Sequence, residues 1–228
     1  MIQDITDSTD FNVKYSDILI QPDDILRIKV NSQTPEISQI FNHSEIANSG
    51  NMKSYQVNGY RVSSEGFLEM PVLGPLYVKN MSIKQITDLV SNSLREKGLL
   101  TNPSVDVKLV NAYFTIIGEV NNPGRYNFLK NNMDLFQAIG TAGDLTIFGE
   151  RENIKILRNF DNKLNVISVD LTSSQFLKSN NFQIFPGDII IINPNNARVK
   201  NAGLIGNPGN LLSVLSFVLS SIILVTSN

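Results

Sequence analysis

The sequence predicts an α+β fold: two small mixed sheet-and-helix domains followed by a single apolar C-terminal helix. Three observations lead there. Residues 103–111, "PSVDVKLVN", alternate apolar and polar with period two, as a half-buried strand does. Residues 82–98, "SIKQITDLVSNSLREKG", place apolar side chains at helical spacing behind a capping signal. Two distant segments, "IQPDDILRIKV" (Ile20–Val30) and "IFPGDIIIINP" (Ile184–Pro194), repeat one turn-and-strand pattern.

In those two segments proline fixes φ for a turn, the next Asp or Gly tolerates unusual backbone angles, and a β-branched run follows. Between them, residues 59–80, "GYRVSSEGFLEMPVLGPLYVKN", read as a short β-meander around Ser-Ser-Glu-Gly and Leu-Gly-Pro. Ser82 caps the helix that follows and Gln85 completes a capping box. Ile83, Ile86, Leu89, Val90 and Leu94 form its apolar face, and Gly98 ends it. Residues 113–128, "YFTIIGEVNNPGRYNF", read as strand, Asn-Asn-Pro-Gly turn, strand. "MDLFQAIGTAGD" (133–144) reads as a short helix capped by Asn132 and stopped at Gly143. "NIKILRN" and "LNVISVDL" read as a hairpin around Asp161-Asn162-Lys163.

Composition narrows the function classes. With 228 residues the chain has length enough for one large domain or two small ones. A net charge of −2 lacks the basic footprint of a nucleic-acid binder. The absence of cysteine excludes disulfides, thiol catalysis and zinc–thiolate sites, and leaves the redox compartment open. The first residues, "MIQDITDSTDFNVKYSD", show no basic and apolar succession of a secretory signal. That fits a cytoplasmic chain or one starting after a removed signal.

Charge is unevenly spread. All 19 basic and 21 acidic residues lie at or before Lys200. The Asn/Gly/Pro-rich stretch over 197–209 therefore reads as a linker, with Pro208 suited to a helix's first turn. Beyond it, "NLLSVLSFVLSSIILVTSN" is apolar and serine-punctuated. Its apolar part, from Leu211 to Val225, covers about 22 Å as a helix, short for a membrane span. Ser213, Ser216, Ser220 and Ser227 fall on one stripe of such a helix. Leu211, Leu215, Phe217, Val218, Leu219, Ile222 and Val225 supply its apolar surface. A buried soluble helix, a membrane helix and a partner-binding tail all fit.

No catalytic constellation stands out. His43, the only histidine, has just Ser44 and Glu45 beside it, and a surface-loop role is the simpler reading. Asp23, Asp24 and Asp188 follow prolines in turns, where they cap local N–H groups more naturally than they bind calcium. "EVNNPGRY" runs into a strand rather than a helix, unlike a phosphate loop. Arg125 and Tyr126 read as exposed hairpin residues at an intersubunit contact rather than a sugar site. The sequence calls for no cofactor and no metal.

The ordered motifs resemble a family. "QPDDILRIKV" followed by "VSSEGFLEMPVLGPLYVKNMSIKQITDLVSNSLREKGLLTNPSVDVKLV" is similar to the N-terminal domain of outer-membrane polysaccharide export proteins. "FTIIGEVNNPGRYNF", "MDLFQAIGTAGDLT", "NIKILRN" and "FQIFPGDIIIINP" resemble the SLBB β-grasp module that follows it. The resemblance implies an export domain over 14–111, an SLBB domain over 112–196, the linker over 197–209 and an outer-membrane helix over 210–227. It implies no enzyme but a homo-oligomeric ring, a porin-like channel for capsular or extracellular polysaccharide, whose C-terminal helices form an α-helical barrel. The serine stripe then lines the pore or packs between neighbours, while the apolar residues meet outer-membrane lipid. A thin outer membrane suits so short a helix. A periplasmic body and an inner-membrane co-polymerase or tyrosine-kinase partner are implied too. Many relatives are lipoproteins acylated on an N-terminal cysteine, which this sequence lacks. It also holds one SLBB module where well-known members carry two. The competing expectation is a soluble periplasmic glycan-binding or adaptor module whose apolar tail docks into a partner. An enzyme of glycan metabolism ranks last.

Overall fold

The computed structural model describes residues 15–33, 35–42, 59–128, 130, 132–160, 163–178, 182–196, 212 and 215–217. Among them the fold is α+β, with two hydrophobic clusters. One draws on Ile20 to Val107 and the other on Phe114 to Ile192.

The first cluster forms between a sheet and a helix. β1 (Ile25–Asn31) lies centrally, antiparallel to β2 (Tyr60–Arg61) and to β5 (Ser104–Leu109). Along β1 every second residue is buried, so Leu26, Ile28 and Val30 face inward as a half-covered strand requires. Between β1 and β2 lies α1 (Pro35–Phe41), which the sequence reading did not anticipate. Seven residues are too few for helical periodicity to show, although proline at the first position is a start signal. β3 (Phe67–Met70) and β4 (Gly74–Tyr77) form the expected meander. α2 (Ile83–Glu96) follows, with the Ser82–Gln85 capping box formed in both directions. Ile86, Val90 and Leu94 are fully buried, and Gly98 leaves the helix at φ 67°.

The second cluster centres on five strands: β6 (Tyr113–Gly118), β7 (Gly124–Asn127), β9 (Ile154–Phe160), β10 (Lys163–Val169) and β12 (Ile189–Ile192). Their order is β10-β9-β12-β6-β7. Only β12 and β6 run parallel. α3 (Leu135–Thr141) packs Leu135, Ala138 and Ile139 into this core. Phe136, Phe176 and Phe182 meet beside it.

The cap of α3 corrects the sequence reading. Asp134, not Asn132, is the cap: its Oδ1 accepts from the Gln137 N–H at 2.8 Å. The cause is tertiary. β8 (Met133–Asp134) pairs with β11 (Gln183–Ile184), so the chain stays extended two residues longer.

The docking of β12 on β6 depends on one glycine. Gly118 has φ 99°, and a Cβ there would lie 2.0 Å from the Ile192 carbonyl oxygen. That oxygen accepts from the Glu119 N–H and cannot retreat without breaking the ladder. Gly118→Ala is expected to lower stability by roughly 3 kcal/mol, combining backbone strain with overpacking, as read by urea unfolding.

Candidate functional site

The repeated proline turns fold alike. In Gln21-Pro22-Asp23-Asp24 the fourth N–H donates to the first carbonyl at 3.2 Å; in Phe185-Pro186-Gly187-Asp188 the distance is 3.1 Å. The third residue of each has positive φ, 71° at Asp23 and 85° at Gly187, which identifies type II turns. Each closing aspartate accepts, through Oδ2, the N–H of the first turn residue at 2.8 Å. Asp24 and Asp188 are therefore local caps, as the sequence reading preferred, whereas Asp23 is not. Asp23 reaches out to Arg61 at 2.7 Å on the surface.

The two aspartates differ in surroundings. Burial pushes the Asp24 carboxyl up to about 6; the Gln21 N–H opposes this and the charge of Asp23 adds to it. Burial also pushes Asp188 up, while the Arg158 guanidinium and the Phe185 N–H act against that push. Arg158 grips Asp188 with two prongs, Nε to Oδ1 at 2.9 Å and Nη2 to Oδ2 at 2.7 Å, and lies over the Phe185 ring. The Asp188 side chain is 0% exposed. Nη2 of Arg158 also donates to the Gln183 carbonyl at 3.0 Å.

Gln183 in turn holds a strap across the two cores. Its side chain is buried, accepts the Ser16 N–H at 2.7 Å and donates to the Ser16 carbonyl at 2.9 Å. It treats Ser16 as a neighbouring strand would. Tyr15 adds a long hydrogen bond to Asp134 and ring contact with Phe182. A few residues on, Leu19 bridges Ser82, and the Ile20 N–H donates to the Met81 carbonyl. Residues 15–20 thus touch the second core at one end and the first at the other. Polar side chains acting on backbone at such separations leave no sequence signature, so this clamp was not foreseen.

The five-stranded sheet has one covered and one open face. The register carries Val166, Leu157, Ile189, Thr115 and Arg125 across all five strands in one row. A second row runs Ser168, Lys155, Ile191, Ile117. This face opposes the buried Ile116, Ile156 and Ile190, and Val166 and Leu164 are 59% and 64% exposed. Arg125, expected as an exposed hairpin residue, sits at its edge over the Tyr113 ring; Tyr126 instead stacks on Phe114.

Comparison with known proteins follows the same division. Residues 12–110 match the polysaccharide biosynthesis/export protein family, and residues 112–192 match the SLBB domain. The chain belongs to the polysaccharide export family. It is similar to the EPS I polysaccharide export outer membrane protein EpsA of Ralstonia solanacearum, with 24% identity over 187 residues, 79% of this chain and 47% of the relative. The EpsA of Ralstonia nicotianae is 25% identical over 162 residues, 68% of the chain and 41% of the relative. The chain thus spans about half the length or less of the curated relatives it matches.

Of the family-implied helix, the structure describes Leu212, Leu215, Ser216 and Phe217, which are helical and exposed. Ser213, Ser220, Ser227, Leu211, Val218, Leu219, Ile222 and Val225 lie outside the described residues, as do His43 and the 197–209 linker. Among the described residues no helix is long and apolar enough to cross a membrane. No group of three His, Asp or Glu among them could hold a metal ion.

Two measurements test this geometry. Because the folded pKa of Asp24 is raised, its stabilising contribution is complete below about pH 4 and lost as pH rises through about 6. Asp24→Asn should remove that dependence, gaining on the order of 2 kcal/mol relative to wild type between pH 4 and 7 in urea titrations. Gln183→Ala should speed exchange of the Ser16 amide at least about tenfold, since two hydrogen bonds to the strap vanish.

Proposed function

We propose that the chain is a subunit of an oligomeric outer-membrane channel that exports capsular or extracellular polysaccharide. The observation that carries this reading is the ordered pair of domain matches covering residues 12–110 and 112–192. That the relatives are polysaccharide export outer membrane proteins supports it. On this reading residues 14–111 are the export domain and 112–196 the SLBB domain, both in the periplasm. Residues 210–227 are the stave of an α-helical barrel across the outer membrane, and 197–209 connect it to the body.

The chain's task is then transport, not catalysis. A conduit for a long glycan needs a wide polar lumen that does not grip its cargo, because tight binding stalls passage. The stave contributes by segregation: Leu, Val, Ile and Phe toward lipid, and Ser213, Ser216, Ser220 and Ser227 toward neighbours or the lumen. Small hydroxyls allow close helix approach and hydrogen bonding where lipid would leave polar groups unpaired. The glycan is supplied from the inner membrane by a polymerising partner.

The test is native mass measurement of the detergent-extracted full chain. A closed ring of identical subunits is expected, and a stable monomer overturns the reading. Ser216→Leu combined with Ser220→Leu should abolish ring assembly or pore conductance while the far-ultraviolet dichroism of the body is unchanged. Assembly and conductance equal to wild type would contradict the serine stripe.

A further inference from the structure

We infer that copies of this chain join head to tail, the open face of the five-stranded sheet of one copy receiving the β3–β4 hairpin of the next. The inference rests on the proposed ring and names the faces that build it.

The sheet face comes first. Leu157, Leu164, Val166, Ile189, Ile191 and Ile117 project from four adjacent strands on the side away from the core. Strands lie about 4.8 Å apart, so the five-strand row extends roughly 20 Å. Leu164, Val166 and Ile117 are exposed and Leu157, Ile189 and Ile191 half-buried. Scattered exposed aliphatics are ordinary on a monomer, but a contiguous apolar patch marks an interaction surface. The charges on this face have one sign. Lys155 and Arg125 border it, and among the described outward-facing positions of the five strands there is no carboxylate. Two such faces cannot meet without opposing cations.

The complementary surface lies on the same chain. On the outer side of the β3–β4 hairpin, Phe67 and Tyr77 pair across the strands and stack edge to face with centroids 5.3 Å apart. Tyr77 is 50% exposed, and Val72 at the hairpin tip is 57% exposed. Glu65 and Glu69 border this patch, with Lys79 beside Tyr77. Glu69 lies on the same side as Phe67, two residues along the strand, and no ion pair among the described residues engages it. Aromatics are the side chains that interface centres favour, and an acidic border answers a basic one. Both halves of a contact are thus present in one chain, on different domains.

Two different patches in contact make a heterologous interface, which propagates from copy to copy and closes if the rotation allows. A symmetric dimer through the sheet face would place like charges together, and the hairpin patch, with two carboxylates to one ammonium, is the better match to that basic face. The row on the sheet forms the apolar centre of the contact and the bordering charges form its rim.

Mixing tests the arrangement. One full-length variant carries Leu164→Asp and Val166→Asp, the other Phe67→Asp and Tyr77→Asp, with dichroism confirming that both fold. Each should be monomeric in detergent by native mass, and the two mixed should give a 1:1 dimer and nothing larger. Each variant keeps the face that the other has lost. Oligomers of either variant alone at wild-type size, or a mixture that stays monomeric, overturn the pairing of faces while leaving a wild-type ring intact. A monomeric wild type overturns the ring and this inference together. A milder pair guards against unfolding. Lys155→Glu and Glu69→Lys should each weaken association at least tenfold and, in one chain, recover it; failure to recover contradicts the complementarity. Loss of assembly on Ile147→Asp, at the other highly exposed aliphatic of this domain, with assembly retained in the hairpin variant, would move the contact to the 145–149 loop and overturn the hairpin's part.

Discussion

The second core is organised around one buried carboxylate. Asp188 closes the turn that launches β12 into the middle of the sheet, and its charge has no exposure to water. Taking such a charge out of water costs several kcal/mol unless geometry compensates. Two prongs from Arg158 and one backbone N–H oppose that cost, although burial still leaves the Asp188 pKa raised. Since Arg158 stands on β9, the pair also fixes β9 against the start of β12. The same guanidinium holds the Gln183 carbonyl, and the Gln183 side chain holds Ser16. A continuous hydrogen-bonded path therefore runs from the central strand to the strap, and the strap continues into the first core at Ile20.

Asp24 occupies the matching turn without an arginine on its carboxylate. The turn geometry is the same and the carboxylate caps the equivalent N–H. Burial raises Asp24 to about 6 against the Gln21 N–H, and burial raises Asp188 too, against Arg158 and the Phe185 N–H. One turn is held by its own backbone cap, while the other is also anchored to β9 through Arg158. With β12 anchored centrally and α3 on one side, the opposite face of the sheet is left with its aliphatic row partly exposed. In the proposed ring this face is the surface that receives the β3–β4 hairpin of the next copy.

Much of this was legible in the residues. The Ser82–Gln85 box, the alternation of β5, and both proline turns are local, since propensity and spacing within a few positions determine them. Other features were not. The cap of α3 moved to Asp134 because a strand more than forty residues away pairs with it. α1 was too short to show a period. Arg158 and Gln183 act at 30 and 167 residues' separation, through side chains that look like any polar residue in a strand. The open sheet face followed only from register, because a strand's alternation says which residues share a side but not whether anything covers it. The serine stripe at 210–227 was read from spacing and family resemblance, and of it only Ser216 lies among the described residues.

The absence of cysteine from the sequence permits a direct test of the head-to-tail contact. A single chain carrying Phe67→Cys and Val166→Cys can be oxidised in detergent and resolved by non-reducing electrophoresis. The account predicts a ladder of dimer, trimer and higher species ending at one closed size, while each single-cysteine variant stays monomeric. Cross-linked dimers from either single variant, or a double variant that stays monomeric while the unmodified chain is a ring by native mass, would contradict it.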